Sequence, residues 1–248
     1  MLVQAYQVPH VKLPKITYIV EPCIPANAVV LLHGDAGIGK SPLTWSLANA
    51  VSSGVSWFGL PANQAHVLYV EVDSPASIVL ARLKAAHFMN HFDLLFLSDT
   101  AVDVLAPRFR ESKAYEEILK TQNILFVATG DEYGLVIVNT LRKVHKEDDI
   151  KSYVPNLVYK AFQGLFPSAA IVFVHHDRKA SQWDSALPVG DKAGGSKHWV
   201  DDAHVQLHLV GHPKALKLEQ LKNQNGPPIA SLQLRLEANG VTMSRRAA

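Results

Sequence analysis

Residues 34–41 restrict the fold of this chain more than any other stretch, because they follow the pattern G-x-x-x-x-G-K-S. The apolar and largely β-branched residues 28–33 come immediately before and predict a buried strand. Apolar residues recur at helical spacing from Leu43 to Val51, which predicts a helix with Pro42 in its first turn, where a missing N–H costs nothing. A strand, a glycine-rich loop and a helix in this order predict a phosphate-binding loop.

The chemistry of such a loop follows from its backbone. Glycines let N–H groups turn inward around an anion, and the start of the helix adds a partial positive charge. Lys40 is expected to reach the β- and γ-phosphates of a nucleotide, and the Ser41 hydroxyl is expected to bind Mg²⁺. We therefore predict ATP and Mg²⁺ as cofactors. The predicted cofactor-binding residues of the loop are Gly34, Asp35, Ala36, Gly37, Ile38, Gly39, Lys40, Ser41 and Pro42.

Composition limits the remaining functions. The 248 residues are 48% hydrophobic and 19% charged, as in ordinary globular domains, and a net charge of +2 provides no overall field for nucleic acid. Cys23 is the single cysteine, so no internal disulfide forms, which fits a reducing cytoplasm; we favour a structural Cys23 over a nucleophile. No apolar run approaches the ~18 residues of a membrane span, and the N-terminus lacks a signal-peptide core.

Hydrophobic patterning predicts one α/β domain over residues 1–248. Residues 1–27 contain four prolines and are interpreted as an extended arm. Buried strands are predicted at 65–73, 94–97, 134–140 and 169–176, with helices between them, whereas 124–127 fit either a strand or a helix end. Residues 203–210, 215–221 and 229–236 alternate as antiparallel strands do. A mostly parallel sheet with a C-terminal antiparallel extension is the RecA-type order.

Polar residues follow three of the predicted strands. Glu71 and Asp73 are two apart, so both carboxylates are expected on one face of the strand end, where they can hold a water for attack on a γ-phosphate. Asn139 ends four apolar residues, where the Walker B pattern has Asp, and is predicted to accept from a Mg²⁺-bound water. The alternative for Asn139 is a simple turn former. His175 and His176 are adjacent and therefore point to opposite faces, which disfavours a shared metal.

The long segment 177–198 is predicted to be a mobile loop. It contains several glycines, the basic residues Arg178, Lys179, Lys192 and Lys197, and Trp183. Basic residues with an interleaved aromatic favour single-strand binding, and a solvated loop without a ligand is an equal alternative.

These landmarks together resemble the RecA-like ATPases, in particular the branch of the hexameric plasmid helicase RepA. Residues 67–75 resemble its second strand, with Asp73 at the position of a catalytic Glu. Residues 139–145 resemble its D-T-L-R-x-x-H, and residues 174–179 its H-H-x-x-K, in which the first His senses the γ-phosphate. Residues 193–201 resemble its R-G-S-S-x-x-V-D segment. Residues 222–227 resemble the K-x-R-N-G-P loop of hexameric helicases, which enters the neighbouring subunit's ATP site.

The resemblance implies a cytoplasmic ATPase that forms a homo-oligomer, with a hexameric ring as the expected form. It also implies a helicase-like motor in DNA replication or recombination of a plasmid, phage or mobile element. Loops 143–152 and 177–198 are expected to bind single-stranded DNA. The implied catalytic residues are Glu71, Asp73, His175 and Lys222.

Three departures from the family pattern weaken the predicted catalytic site. Asn139 replaces the Asp associated with Mg²⁺, Gln224 replaces the arginine finger, and Gly194 and Gly195 replace A-R-G. An arginine finger can contribute ~10³-fold or more to turnover. The alternative function is therefore a degenerate nucleotide-binding switch or assembly protein with little hydrolysis, in which Asn139→Asp and Gln224→Arg would each raise turnover.

Overall fold

A computed structural model describes residues 16–86, 92–177, 192–237 and 240–243. Its main feature is a single nine-stranded sheet. The sheet strands are β3 (Val29–Gly34), β4 (Val67–Glu71), β5 (Asp93–Phe96), β6 (Leu135–Asn139), β7 (Ala170–His176), β8 (Val205–His212), β9 (Ala215–Asn223), β10 (Leu232–Glu237) and β11 (Gly240–Met243). Their order across the sheet is β11-β10-β9-β8-β3-β7-β6-β4-β5. The strands from β8 to β5 in this order pair in parallel, whereas β8–β9, β9–β10 and β10–β11 pair antiparallel.

Helices cover both faces of this sheet. The helices are α1 (Lys40–Ser53), α2 (Ala76–Ala85), α3 (Lys113–Thr129), α4 (Val154–Leu165) and α5 (His198–Asp201). Val30 and Leu32 of β3 pack in the core on the side of α1 and α2, whereas Val29 and Leu31 pack on the side of α3 and α4. This alternation is the period-two pattern of a strand that is buried on both faces. No helix in the described ranges is long and apolar enough to cross a membrane.

The predicted architecture is confirmed: a mostly parallel sheet carries an antiparallel extension at its C-terminal end. The ambiguous residues 124–127 belong to the last turns of α3. Leu125 is buried there, while Ile124, Phe126 and Val127 are exposed, so this stretch has the one-sided burial of a helix.

The described part of the N-terminal segment differs from the extended arm expected for residues 1–27. Strands β1 (Tyr18–Val20) and β2 (Ile24–Pro25) form a small antiparallel hairpin. Ile19, Val20, Cys23 and Ile24 are buried in the core on the α1 side. The four prolines indicated irregular backbone, but they did not indicate that apolar residues between them would pack against the domain.

Candidate nucleotide-binding site

The glycine-rich loop connects the end of β3 to the start of α1, as its pattern predicted. Gly37 and Gly39 have φ angles of 75° and 114°, which residues with a side chain rarely adopt. Gly34 is required for another reason: a Cβ there would lie 2.4 Å from the Leu209 carbonyl oxygen of β8. The loop therefore leaves the sheet in close backbone contact with a neighbouring strand.

The first turn of α1 is suited to an anion. Gly39 provides no side-chain cap, and the first turn contains no acidic residue, so no side chain of the helix competes for its free N–H groups. Lys40 is buried, and its Nζ donates to the carbonyl oxygens of Gly34 and Asp35, both at 2.7 Å. Burial lowers the pKa of Lys40 to about 8, although Asp177 and Asp35 oppose the shift. The ammonium group thus lies at the loop, ready to exchange a carbonyl for a phosphate oxygen.

A cavity of about 460 Å³ opens beside this loop, a volume in the range of ligand sites. The loop, α1, α2, the ends of β6 and β7 and the β10–β11 hairpin all contribute to its wall. The lining residues named by the sequence are Gly37, Gly39, Lys40, Ser41, Pro42, Asp73 and Asn139, whereas Trp45, Arg82, His176, Leu236 and Glu237 were not anticipated. Glu71, His175 and Lys222 do not line it.

Glu71 is buried behind the cavity and hydrogen-bonded to protein groups. Its Oε1 accepts from the backbone N–H groups of Asp73 (3.0 Å) and Ser74 (2.9 Å), and its Oε2 accepts from Asn139 Nδ2 (2.8 Å). Burial raises the pKa of Glu71, and these donors oppose the shift. Because the side chain is 1% exposed, it holds Asn139 and the turn after β4 in position and does not face the cavity.

Asp73, in contrast, faces the cavity with its carboxylate half-exposed. Its Oδ1 lies 3.8 Å from Lys143 Nζ, which comes from the turn after β6. The expectation that Glu71 and Asp73 share a face is wrong, because β4 ends at Glu71 and the alternation of a strand does not extend to residue 73. Of the two carboxylates, Asp73 has the position from which a water could be oriented toward a nucleotide.

Asn139 lies between the loop and Glu71. Its Nδ2 donates to Glu71 Oε2 and is 3.4 Å from the Ser41 hydroxyl. With the amide nitrogen directed to the carboxylate, Oδ1 remains as the acceptor for a metal-bound water. The predicted pairing of Ser41 and Asn139 near a Mg²⁺ ion is therefore compatible with their positions.

The two histidines at the end of β7 point to opposite faces of the sheet. The family resemblance implied His175 as the contact to the γ-phosphate, but His175 faces away from the cavity. His175 is buried on the α4 side, where Nε2 lies 3.0 Å from the Gly194 carbonyl oxygen and the ring packs against Trp199. Burial lowers the pKa of His175 to about 4. His176 lines the cavity, with Nδ1 3.3 Å from Lys40 Nζ. A contact with the γ-phosphate is thus available to His176 and not to His175.

Lys222 lies at the opposite end of the sheet from the glycine-rich loop. Residue Val205 of β8 pairs with Val30 near the start of β3 and with Asn223 of β9, whereas the loop leaves β3 at Gly34. Lys222 Nζ donates to the carbonyl oxygens of Val200 (3.1 Å) and Asp201 (2.6 Å). Neither Lys222 nor Gln224 can therefore reach the cavity of its own chain.

Two segments expected to bind DNA contact each other. Ser196 N donates to the Asp149 carbonyl oxygen at 2.7 Å, and the Asp149 carboxylate lies 2.8 Å from Arg142 Nε. The His145 ring stacks on Trp199 with centroids 5.6 Å apart. Loop 143–152 and residues 192–198 thus form one surface. The remainder of the predicted mobile loop, including Arg178, Lys179 and Trp183, lies outside the described residues.

Cys23 lies in an environment that disfavours a reactive thiol. It is fully buried beneath β9, and burial raises the pKa of its thiol to about 12, so the reactive thiolate is suppressed. Its structural interpretation is consistent with this environment.

The sheet order and the loop between β3 and α1 define this molecule as a RecA-like fold with a P-loop. The chain belongs to the AAA domain family, whose sequence pattern matches residues 3–182. A comparison with curated proteins found no match.

Solved structures share this fold at low sequence identity. One solved ATPase domain is 11% identical, with a TM-score of 0.63, and the match covers 88% of this chain and 85% of that one. The RadB recombinase is 13% identical, with a TM-score of 0.55 and coverage of 89% and 92%. A DnaB-like replicative helicase, solved in a study of its interactions with primase, is 11% identical, with a TM-score of 0.63 and coverage of 87% and 57%.

Proposed function

We propose that this chain binds ATP with Mg²⁺ and hydrolyses it slowly, as an oligomeric helicase-like motor on single-stranded DNA. The observation that carries the proposal is the cavity at the glycine-rich loop, where Lys40, Ser41, Asp73, Asn139 and His176 converge. Convergence of a phosphate loop, a metal-binding hydroxyl and a cavity-facing carboxylate is what phosphoryl transfer to water requires.

Each of these groups has a role in the proposal. The N–H groups of the loop and of the first turn of α1 bind the phosphates, and Lys40 neutralises the β- and γ-phosphate oxygens. Ser41 would hold Mg²⁺ directly and Asn139 would hold it through a water, and the ion would neutralise charge on the phosphates. Asp73 orients the attacking water, and His176 contacts the γ-phosphate. Glu71 acts through Asn139 as a positioning residue.

The distance between Lys222 and the loop supports an oligomer. Lys222 and Gln224 lie at the end of the sheet that is remote from the cavity of their own chain. In a head-to-tail ring this end can approach the neighbour's cavity, and such heterologous contacts close into rings. We propose a ring, with a hexamer as the expected form, in which Lys222 is the cation that acts across the interface.

The surface formed by residues 143–152 and 192–198 is the proposed DNA-binding site. Lys146 and Lys197 are exposed on it, and Lys143 extends from it toward Asp73. A surface that contacts both DNA and a cavity residue can respond to nucleotide. We propose a role in replication or recombination of a plasmid, phage or other mobile element, in the cytoplasm, where a single buried cysteine stays reduced.

A degenerate switch with little hydrolysis is the second candidate. Two features favour it: the metal edge of the site has the neutral Asn139, and residue 224 is Gln where the family has an arginine finger. A nucleotide bound without efficient turnover would then hold one assembled state.

Nucleotide binding is tested most directly at Lys40. Lys40→Ala removes a charged donor to the phosphates, and we expect ATP affinity to fall about 10- to 100-fold, since hydrogen bonds to charged groups contribute about 1.5–3 kcal/mol. Calorimetry with a non-hydrolysable ATP analogue and Mg²⁺ measures the affinity. Lys160→Ala, at an exposed position of α4, is the matched control. Unchanged affinity in Lys40→Ala, with an unchanged circular dichroism spectrum, would refute this site.

The rate of ATP hydrolysis distinguishes the helicase-like motor from the nucleotide-binding switch. We would measure ATP hydrolysis with and without single-stranded DNA, together with the mass in solution by light scattering. Stimulation by DNA supports the motor, and Lys146→Ala with Lys197→Ala should then flatten the slope of log DNA affinity against log salt by about 0.7 per lost contact. ATP binding with no stimulated turnover supports the switch. In either case Gln224→Arg should raise turnover only under conditions in which the oligomer forms.

A further inference from the structure

Three side chains that the proposed function does not use come together beneath the start of the glycine-rich loop. They are His33 on β3, Asp177 directly after β7, and His208 on β8, and these three strands are neighbours in the sheet. His33 pairs in register with His208, and their rings stack with centroids 4.3 Å apart. All three side chains lie on the face opposite α1 and outside the nucleotide cavity.

The Asp177 carboxylate joins the two histidines. Its Oδ1 lies 2.6 Å from His33 Nδ1, and its Oδ2 lies 3.0 Å from His208 Nε2. Side-chain exposure is 0% for His33, 1% for His208 and 9% for Asp177. One donor atom from each residue lies within 4.8 Å of the other two, so all three can contact one small ion.

The charge of this cluster is unbalanced. Lys40 acts on Asp177 through space, but among the described residues no lysine or arginine forms an ion pair with it. A buried carboxylate that forms no ion pair with a lysine or arginine of the described residues favours a cation.

His33 has an outer hydrogen-bond partner of the kind that orients a metal ligand, and His208 has a carboxylate nearby. Gln206 Nε2 lies 2.9 Å from His33 Nε2, and an amide flip would place the Gln206 oxygen there as an acceptor. His208 Nδ1 is buried and has no hydrogen-bond partner within the described ranges, and Glu219 Oε2 is 4.0 Å away. Metal-bound histidines usually donate their second N–H to such a carbonyl or carboxylate.

We propose that His33 Nδ1, the Asp177 carboxylate and His208 Nε2 bind one divalent transition-metal ion, with zinc as the fitting ion. Two imidazoles and one carboxylate form a common donor set for zinc, and a fourth position is left for water. Zn–N bonds of about 2.0–2.1 Å place the donor atoms of a tetrahedral site about 3.3 Å apart, so the contacts of 2.6 and 3.0 Å to Asp177 must lengthen slightly when the ion binds.

Proton balance is simple in this site. The N–H of His33 moves from Nδ1 to Nε2, which faces Gln206, and the N–H of His208 moves from Nε2 to Nδ1, which lies 4.0 Å from Glu219 Oε2. The bound ion joins β7, β3 and β8 at the residue before Gly34, and it therefore stabilises the base of the phosphate loop.

The test uses the full chain, stripped of metal with a chelator and free of nucleotide. Zn²⁺ binding is measured by calorimetry, Co²⁺ binding by its visible d–d absorption, and the melting temperature with and without Zn²⁺. We expect one site per chain, tetrahedral Co²⁺ bands, a higher melting temperature with Zn²⁺, and at least a tenfold weaker affinity in His208→Gln. His212→Gln, an exposed histidine of the same strand, is the control and should bind like the wild type.

Two further variants test the zinc site independently of His208→Gln. Glu219→Gln changes a partly exposed outer partner and should weaken Zn²⁺ binding by about 10- to 100-fold even if His208→Gln fails to fold. Lys40→Ala should retain the zinc site, which separates it from the nucleotide cavity. Absence of the Co²⁺ bands in the wild type, or wild-type Zn²⁺ affinity in a folded His208→Gln or in Glu219→Gln, would overturn the proposal.

Discussion

The two sides of the nucleotide cavity differ in how closely they follow the pattern of an active ATPase. On one side, the glycine-rich loop and α1 have the glycines, the lysine, the hydroxyl and the uncapped helix start that phosphate binding requires. On the other side, the ends of β4 and β6 carry a buried Glu71 that is bound to a neutral Asn139. Under the proposed function, this difference predicts that nucleotide binding and hydrolysis can be separated by mutation.

The hydrogen bond between Asn139 and Glu71 explains why Asn139→Asp alone is not expected simply to restore hydrolysis. In the RepA-type pattern that the sequence resembles, an acid is expected at position 139, whereas Asn139 Nδ2 donates to Glu71 at 2.8 Å. An acid at that position would place two buried carboxylates in contact. The Asn is thus part of a local arrangement with Glu71, and the cavity-facing negative charge of this side comes from Asp73.

Of the substitutions that test this comparison, Asp73→Asn is expected to have the largest effect, and the effect is on the rate of ATP hydrolysis. If Asp73 orients the attacking water, hydrolysis should fall by about 10²- to 10⁴-fold, while ATP affinity and the melting temperature stay close to wild type because the side chain is half-exposed. Asp99→Asn, an exposed acid before α3, is the control. Steady-state ATPase assays check the effect, and retained activity in Asp73→Asn would move the catalytic base elsewhere.

Gly34→Ala should disrupt the binding side by destabilising the loop. The new Cβ would lie 2.4 Å from the Leu209 carbonyl oxygen, and we expect a loss of about 1–3 kcal/mol in the free energy of unfolding, with weaker ATP binding. Gly164→Ala in α4 meets no atom within 4 Å and should stabilise the protein by about 0.5–1 kcal/mol. Urea denaturation measures the free energy of unfolding of both variants. Equal stability of Gly34→Ala and Gly164→Ala would show that the close contact at Gly34 does not matter.

Asn139→Asp is expected to destabilise the protein by about 1–3 kcal/mol, because it removes a donor from Glu71 and adds a like charge beside it. The sequence alone predicted that Asn139→Asp would raise turnover, whereas the structure predicts a loss of stability. Asn139→Asp combined with Glu71→Gln restores one carboxylate and one amide, and we expect it to recover stability and to strengthen Mg²⁺ binding. Thermal melts and Mg²⁺ dependence of ATP binding measure this. A single variant that is as stable as wild type would show that the pair does not interact.

The smallest expected effect is the change of ATP affinity with pH. Below pH about 8 Lys40 is protonated in the free protein, whereas above it the neutral amine must take up a proton when phosphate binds. ATP affinity should therefore be flat below pH 8 and fall by up to tenfold per pH unit above it. Calorimetry in buffers of different ionisation enthalpy should detect the proton uptake. Lys40→Ala should show neither; the same slope in that variant would assign the titration to another group.

Several elements were predictable because their signals are local in the chain. The phosphate loop is a single run of residues whose spacing carries its own chemistry, and the strands at residues 29–34, 135–139 and 170–176 are buried on both faces, so each appears as one apolar run. The antiparallel strands were equally clear from alternation. The helical state of residues 124–127 was ambiguous because a short apolar run fits a strand or a helix.

The orientation of side chains at strand ends was not predictable in the same way. Periodicity establishes that His175 and His176 point apart, but it does not identify which face α1 covers. Nor does it show that β4 stops at Glu71, so Asp73 and Glu71 were assigned to one face. The distance of Lys222 from the cavity depends on the pairing of β9 with β8, which joins residues far apart in sequence.

The sequence by itself determined the strand–loop–helix of the phosphate site and the α/β class, since both depend on neighbouring residues and on periodicity within one element. The tertiary structure decided that His176 and not His175 faces the cavity, that Glu71 binds Asn139, and that His33, Asp177 and His208 meet. The physical reason is that these contacts join adjacent strands whose residues are up to 175 positions apart, so they exist only once register and sheet order are established.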